Sequence, residues 1–493
     1  MNENENYNKV LIAALLIAGS FVAILNQTLM ITAIPPIMEE MDITANTAQW
    51  LTTVFMLING IMIPVSAFLI EKFTTRQLFL TAMGIFTLGT LLGGLATNFP
   101  SLLTARVIQS AGAGVMLPLM QTVFLLIFPV ERRGTAMGYI GLVISFAPAI
   151  GPTISGWVTS NFEWRFLFWG ILPLALIMIV VAYFVMRNVT ELKHPKVDPI
   201  SVILSTLGFG GLLYGFTSAG NMGWGNPITL TVLAIGIVTI VIFVLRQLRM
   251  AHPMLELRVF KQKMFTLSTI ICGIGFLGLI GLETIIPLYL QNMRGFTAME
   301  AGLVLLPGAL LSGLMAPITG RIFDRIGAKA LAIPGLILMT ISTFAFLFVD
   351  TTTSLIFIAV MFAVRMFGFS MVMMPVNTAG LNTMPPKLIP HGAAVTNTTR
   401  QMAASIGTAV LVTTMTTTAD ATRSTPGVAN PDILGAIVSF GLMGLLTAIA
   451  LLLSFQLKRT YPPTDEEWDA AEKEGRSAPG NDVMAGRHAN RAE

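Results

Sequence analysis

Glu283 is the residue in this sequence best suited to proton chemistry. It is the only acidic residue deep inside any of the long apolar runs, about eight residues from the nearer end of its run, or roughly 12 Å of helix rise. A charge inside a bilayer costs at least a few kcal/mol. A carboxyl group so placed either loads and releases protons, or is hydrogen-bonded within a helical bundle or wetted by an outer vestibule. Three cations share this kind of surrounding: Arg106, Arg365 and Arg400. A buried guanidinium needs a carboxylate or several carbonyl oxygens as partners, which makes Arg365 and Arg400 candidates for structural staples between helices. Metal chemistry has little to work with, because the chain has one Cys and four His, all of the latter outside the apolar runs, and no His/Cys cluster with ligand spacing.

Groups that would touch a small molecule are polar or adaptable side chains near the middle of apolar runs. Candidates are Asn26, Met30, Asn59, Met116, Met120, Gln121, Phe146, Met374, Asn377, Asn397 and Gln401. The chain has 30 Met, whose flexible thioethers suit promiscuous surfaces as well as plain packing. A cavity with few fixed charges would take amphipathic compounds that are neutral or weakly cationic. Two charged clusters, Glu71, Lys72 and Arg76 and then Asp324, Arg325 and Lys329, sit at run ends, where helix dipoles stabilise such charges by about 0.3–1 kcal/mol. They either anchor the topology or form a charge latch between helices. Gly151 and Gly156 with Pro148 and Pro152 mark a stretch that can bend and pack closely against a neighbour.

The elements that must position these residues are membrane helices. Of 493 residues, 54% are hydrophobic and 11% charged, whereas an ordinary soluble protein carries about 25% charge; a soluble globular enzyme is excluded. At about 20 residues per crossing, about fourteen spans can be placed, from residues 10–33 to residues 434–457. About nineteen Lys and Arg between Lys9 and Arg459 fall on one side, and only Arg165, Arg294 and Arg423 on the other. The positive-inside rule then puts both termini in the cytoplasm. The first span is too long for a signal-peptide core and lacks its cleavage pattern, so it is expected to be retained. Residues 459–493 are polar, with too little apolar surface to order themselves, and read as a disordered cytoplasmic tail.

An internal repeat divides the chain. The stretch 320–329 matches 67–76; Arg365 follows Arg106, Pro375 follows Pro118, Pro385 follows Pro129 and Gly392 follows Gly134, all at offsets of about 253 to 259. The expected organisation is an N-terminal six-helix half (1–187), a two-helix insert with cytoplasmic loops (188–261), a C-terminal six-helix half (262–458) and the tail (459–493). The inserted pair is expected to be a lipid-facing spacer.

From about Asn8 to Arg459 the chain resembles the fourteen-span drug:proton antiporters of the major facilitator superfamily, the EmrB/QacA type, and within them the lincomycin-resistance branch. The loop signature G-x-L-a-D-R-x-G-x-K is met by Gly320, Ile322, Asp324, Arg325, Gly327 and Lys329, and loosely by Ala67, Leu69, Glu71, Lys72 and Arg76. The pattern R-x-x-Q-G-x-G resembles residues 106–112 with Ser110 departing, and the antiporter signature G-P-x-x-G-G resembles residues 151–156 with Ser155 departing. Residues 25–35 resemble L-D-x-T-I-V-N-V-A-L-P, with Asn26 where many relatives have Asp; that position cannot carry a proton here. The resemblance implies a role for Arg106 in proton movement near Asn26 and Gln109, alongside its reading as a staple between spans one and four.

The expected function is proton-coupled multidrug efflux across the bacterial cytoplasmic membrane by alternating access, with protons and small-molecule drugs as partners, no cofactor, no nucleic acid and a monomeric working unit. A second reading within transport is export of an endogenous metabolite, lipid or siderophore. The sequence has no G-x-x-x-x-G-K-[ST] loop for nucleotide, and its few intramembrane charges supply no catalytic constellation for a membrane enzyme.

Overall fold

The computed structural model describes residues 8–190, 192, 198–423, 425 and 430–458; the expected tail, 459–493, lies outside them. Fourteen long helices follow one another: α1 (Lys9–Met41), α2 (Ala45–Lys72), α3 (Thr75–Gly94), α4 (Phe99–Ile127), α5 (Arg133–Asn161), α6 (Phe166–Val185), α7 (Pro199–Met222), α8 (Pro227–Arg249), α9 (Lys263–Leu288), α10 (Ala298–Ile326), α11 (Ala328–Ala345), α12 (Leu355–Leu381), α13 (Ile389–Thr422) and α14 (Pro431–Ser454). All fourteen contain a span long and apolar enough to cross a membrane. With no water in the bilayer core, each helix satisfies its own backbone; the interior prolines of α1, α4, α5, α10 and α12 are tolerated because neighbouring helices and hydroxyl side chains can take up the carbonyls they free.

Polar residues set the helix starts. Thr74 with Gln77 and Thr297 with Glu300 form reciprocal capping boxes at α3 and α10, each satisfying backbone N–H groups that the helix cannot. Gly327, at φ 84°, makes the sharp turn from α10 into α11, in a backbone region that other residues enter only with strain.

Helices α1–α6 and α9–α14 form the two six-helix halves; one cluster of buried apolar side chains fills the N-terminal half and continues across the seam to Phe265, Met374 and Ile389, and a second fills the C-terminal half. The halves meet along two seams, α5 against α10 and α2 against α13. The inserted pair differs from the spacer expected of it. Only α8 turns a broad apolar face outward, with Ile235, Ile237, Val238, Val241, Ile242 and Leu245 exposed. Helix α7 packs against both α2 and α13, because its glycine-containing face fits closely: Gly210 lies against Ile61, and Leu213 fills the space beside Gly60. Trp224 donates to Thr413 Oγ1 at 2.6 Å and Tyr214 stacks on Trp50, fixing α7 to both halves.

Candidate functional site

The helix directions put most loop Lys and Arg at one end of the bundle, here called the basic end. A cavity of about 1530 Å³ lies between the halves, larger than the roughly 300–1,000 Å³ of a typical drug-sized site. Its lining includes Gln49, Trp157, Ser160, Asn161 and Met299, at helix termini away from the basic end, so it opens toward that opposite end. Most of the wall is apolar, and among the described residues only two charged ones enter it, Glu283 from α9 and Arg400 from α13.

Glu283 has Arg365 within electrostatic reach. Arg365 itself is buried, donates to Thr343 Oγ1 at 2.8 Å and fills the space over Gly278, one turn and a half before Glu283 on α9. The proton-suited carboxyl group and its cation therefore stand together in the C-terminal half, one facing the cavity and one behind it. Arg106 is fully buried in the other half. It donates to Asn26 Oδ1 at 2.6 Å, Gln109 Oε1 at 2.7 Å and the Leu51 carbonyl at 3.2 Å, and it lies over the Phe55 ring at 4.2 Å. Its neighbours are thus neutral acceptors, as a position 26 amide dictates; the cluster joins α1, α2 and α4.

At the basic end the halves are shut by contacts of a different kind. Asp324, at the end of α10, accepts from the Gly134 and Thr135 backbone N–H groups at 2.7 and 2.8 Å and from the Thr135 hydroxyl at 2.6 Å. A carboxylate there faces the exposed N–H groups and the positive pole of α5. Glu71, at the end of α2, meets His391 Nε2 at 3.1 Å at the start of α13, while His391 Nδ1 accepts from the Glu256 N–H at 3.2 Å. Arg133 donates to Asn382 at 3.0 Å, and Asn397 donates to Gln121 at 2.7 Å. Backbones touch as well: a Cβ on Gly320 would come within 2.2 Å of the Gly134 carbonyl oxygen. The two loop signatures thus act through their carboxylates. Lys72 lies near the Phe68 and Phe73 rings, Arg76 over Tyr183, and Arg325 and Lys329 are exposed.

Of the expected small-molecule contacts, Asn59, Met116, Asn397 and Gln401 line the cavity; Asn26, Met30, Met120, Gln121, Phe146, Met374 and Asn377 do not. Asn26 is taken up by Arg106, and Met30 is buried in its own half. Phe146 packs on Gly313 across the α5–α10 seam, and Met120, Gln121, Met374 and Asn377 lie lower on α4 and α12, where the halves have closed. The α5 motif splits. Gly151 lies against Thr28 and Ser155 donates to the Leu29 carbonyl at 2.5 Å, both packing α5 on α1, whereas Pro152 and Gly156 face the cavity.

Three participants escaped the sequence reading. Tyr214 and Thr217 of α7 line the cavity; the three-residue spacing that puts both on one helix face is the signal that could have found them. His391 was set aside as lying outside the apolar runs, but α13 starts at Ile389, two residues before it, and the residue is 4% exposed. Its burial follows from the end of α2 and the 250–262 segment closing over the start of α13. Arg400, expected as a staple, reaches the cavity wall instead.

The sequence profile of the Major Facilitator Superfamily matches residues 16–408. An uncharacterised MFS-type transporter of Bacillus subtilis, YcnB, is 52% identical over 465 residues, covering 94% of this chain and 98% of its own. The lincomycin resistance protein LmrB of Listeria monocytogenes is 44% identical over 455 residues, covering 91% and 96%. Among solved structures, the human organic anion transporter MFSD10 superposes with a TM-score of 0.66 at 12% identity, over 90% of this chain and 99% of that one, a likeness of fold. Paired six-helix halves around one central cavity, an internal repeat with a loop signature in each half, and relatives matching nearly end to end agree: the chain belongs to the Major Facilitator Superfamily of membrane transporters.

Proposed function

We propose that this protein is a proton-coupled multidrug efflux antiporter of the bacterial cytoplasmic membrane. It exports amphipathic drugs or antibiotics by alternating access, as a monomer without a cofactor, and it catalyses no covalent reaction. The observation that carries the reading is Glu283, among the described residues the sole carboxyl group in the wall of a large and mostly apolar cavity. Similarity to a lincomycin resistance protein supports the drug class.

By the positive-inside rule the basic end is cytoplasmic, so the cavity opens outward and the Asp324 and Glu71 contacts seal the inner side. In this state Glu283 takes a proton from outside as drug leaves. Neutralising the carboxylate weakens its hold on Arg365, and the halves rock until the cavity faces the cytoplasm, where the proton departs and drug enters. Arg106, with Asn26 and Gln109, keeps the helices of the N-terminal half in register during the motion. Each entering proton supplies about 2.3 kcal/mol per 100 mV, against about 1.4 kcal/mol for each tenfold concentration ratio.

Purified protein in liposomes provides the test. Addition of an amphipathic cationic dye should release protons from wild type and drive counterflow under a pH gradient. Glu283→Gln should abolish both while dye binding persists; normal dye-dependent proton release from Glu283→Gln would end the scheme.

A further inference from the structure

The three intramembrane arginines differ in what compensates them. Arg106 has three oxygen acceptors, its own unpartnered Nη2 lying away from the cavity wall, and Arg365 has the Thr343 hydroxyl and the charge of Glu283. Arg400 has neither arrangement. Its Nη1 reaches Asn397 Oδ1 at 3.4 Å, too long to satisfy a buried cation well, and its guanidinium lies over the Phe276 ring at 4.6 Å. Its Nε–H is buried without a hydrogen-bond partner, and no carboxylate forms an ion pair with it among the described residues.

The residue is 4% exposed, yet it lines the cavity and also the narrow recess beneath, between α5, α10 and α12. It therefore stands where the cavity ends. Buried donors are nearly always satisfied, and a guanidinium beside an aromatic face in a low-dielectric site binds carboxylate or phosphate oxygens strongly. An aromatic ring compensates part of the charge but offers no acceptor to Nε–H.

We propose that Arg400 anchors substrates bearing a carboxylate or comparable anionic oxygen group, which accepts from Nε–H while the apolar body of the molecule lies along the cavity wall above. This deepens the export reading and rests on it. The preferred cargo becomes an amphipathic compound with an anionic end, zwitterions included, rather than a purely neutral or cationic one. Glu283, on α9, is then free to interact with a cationic group or a proton.

A rhodamine dye with a free benzoate carboxylate and the methyl ester of the same dye differ only in this feature. Their dissociation constants are measured by fluorescence anisotropy on the full chain in lipid nanodiscs. Wild type should prefer the free acid by about tenfold, the scale of one charge-assisted hydrogen bond. Arg400→Gln should erase the ratio between the two dyes, and Arg400→Lys, which keeps the charge but not the fork, should retain part of it. Equal binding of the two dyes to wild type, binding of neither, or an unchanged ratio in Arg400→Gln would overturn the proposal. The wild-type ratio tests it even where Arg400→Gln does not fold. Export itself is read separately, as gradient-driven efflux of the ester from liposomes; its failure counts against the transport reading and leaves the acid-to-ester ratio to judge Arg400.

Discussion

Asp324 holds the seal at the basic end with one side chain. Its two oxygens accept from two backbone N–H groups and a hydroxyl on the first turn of α5, in the other half of the molecule. Replacing the carboxylate by an amide removes the negative charge from the helix pole and turns one acceptor into a donor facing N–H groups. Asp324→Asn should therefore weaken the sealed state by about 1–2 kcal/mol, the upper range for a charge at a helix terminus. Spin labels at Glu131→Cys and Arg325→Cys, on a Cys272→Ser background, should report a larger share of long distances between α5 and α10. An unchanged distance distribution would demote Asp324 to a topology anchor. The sequence made this residue visible through its signature and its place at a run end. The identity of its partner was hidden, because the acceptor is matched by main-chain donors that carry no residue-specific mark.

At the scale of elements, the inserted helices are the main surprise. Composition marks both α7 and α8 as membrane spans, so both read as lipid-facing; what separates them is that α7 meets α2 at Gly210 and seats Leu213 beside Gly60. Tyr214 is consequently part of the cavity. Tyr214→Ala should change the ranking of exported dyes by several-fold, the scale on which one aromatic contact acts, whereas Ile237→Ala on the outer face of α8 should leave that ranking alone. Efflux rates for a dye panel check both. The pair is also clasped at its basic end: Arg246 near the end of α8 binds Asp198 just before α7 through hydrogen bonds of 2.9 and 3.0 Å. Those bonds, ahead of a smaller one from Ser201, draw the Asp198 carboxyl down from 3.8 to about 2. A depressed carboxyl stabilises the fold in full above its unfolded pKa and loses that contribution as pH falls through the folded value. The difference in thermal unfolding midpoint between wild type and Asp198→Asn should thus stay level from neutral pH down to about 4, then shrink toward about 2. A difference that is flat throughout would exclude a role for the ionised clasp.

For the whole molecule, the proposed alternating access makes the state a balance between two seams. Gly134 and Gly320 let α5 and α10 touch backbone to backbone at the basic end, which is shut in this structure. A methyl group at Gly320 would collide with the Gly134 carbonyl here. Overpacking of this sort costs about 1–3 kcal/mol, so under that proposal Gly320→Ala should move the equilibrium toward a form open at the basic end by about five- to 150-fold. Alkylation of a cysteine placed at Ser312, on the seam beside Ser145, from the basic side would rise accordingly; labelling equal to that of the unsubstituted glycine would rule this out.

Some of this protein was decided by its sequence alone. Hydrophobicity is a local property, so the number of spans, the gathering of Lys and Arg at alternate span ends, the repeat that pairs Arg106 with Arg365, and the isolation of Glu283 could all be read along the chain. Asn26 in place of an acid was equally plain. The tertiary structure decided the rest, because it depends on which surfaces face each other across long stretches of chain. Glu71 finds His391, Asp324 finds a helix terminus 190 residues away, and Asn397, in the cavity wall, bonds to Gln121, 276 residues apart in sequence. Three arginines alike in sequence became a register clamp, the companion of a carboxyl group, and a cavity residue with a spare donor. What separates them is geometry alone: Arg106 and Arg365 find close acceptors on neighbouring helices of their own halves, and Arg400, at the cavity wall, has none so close.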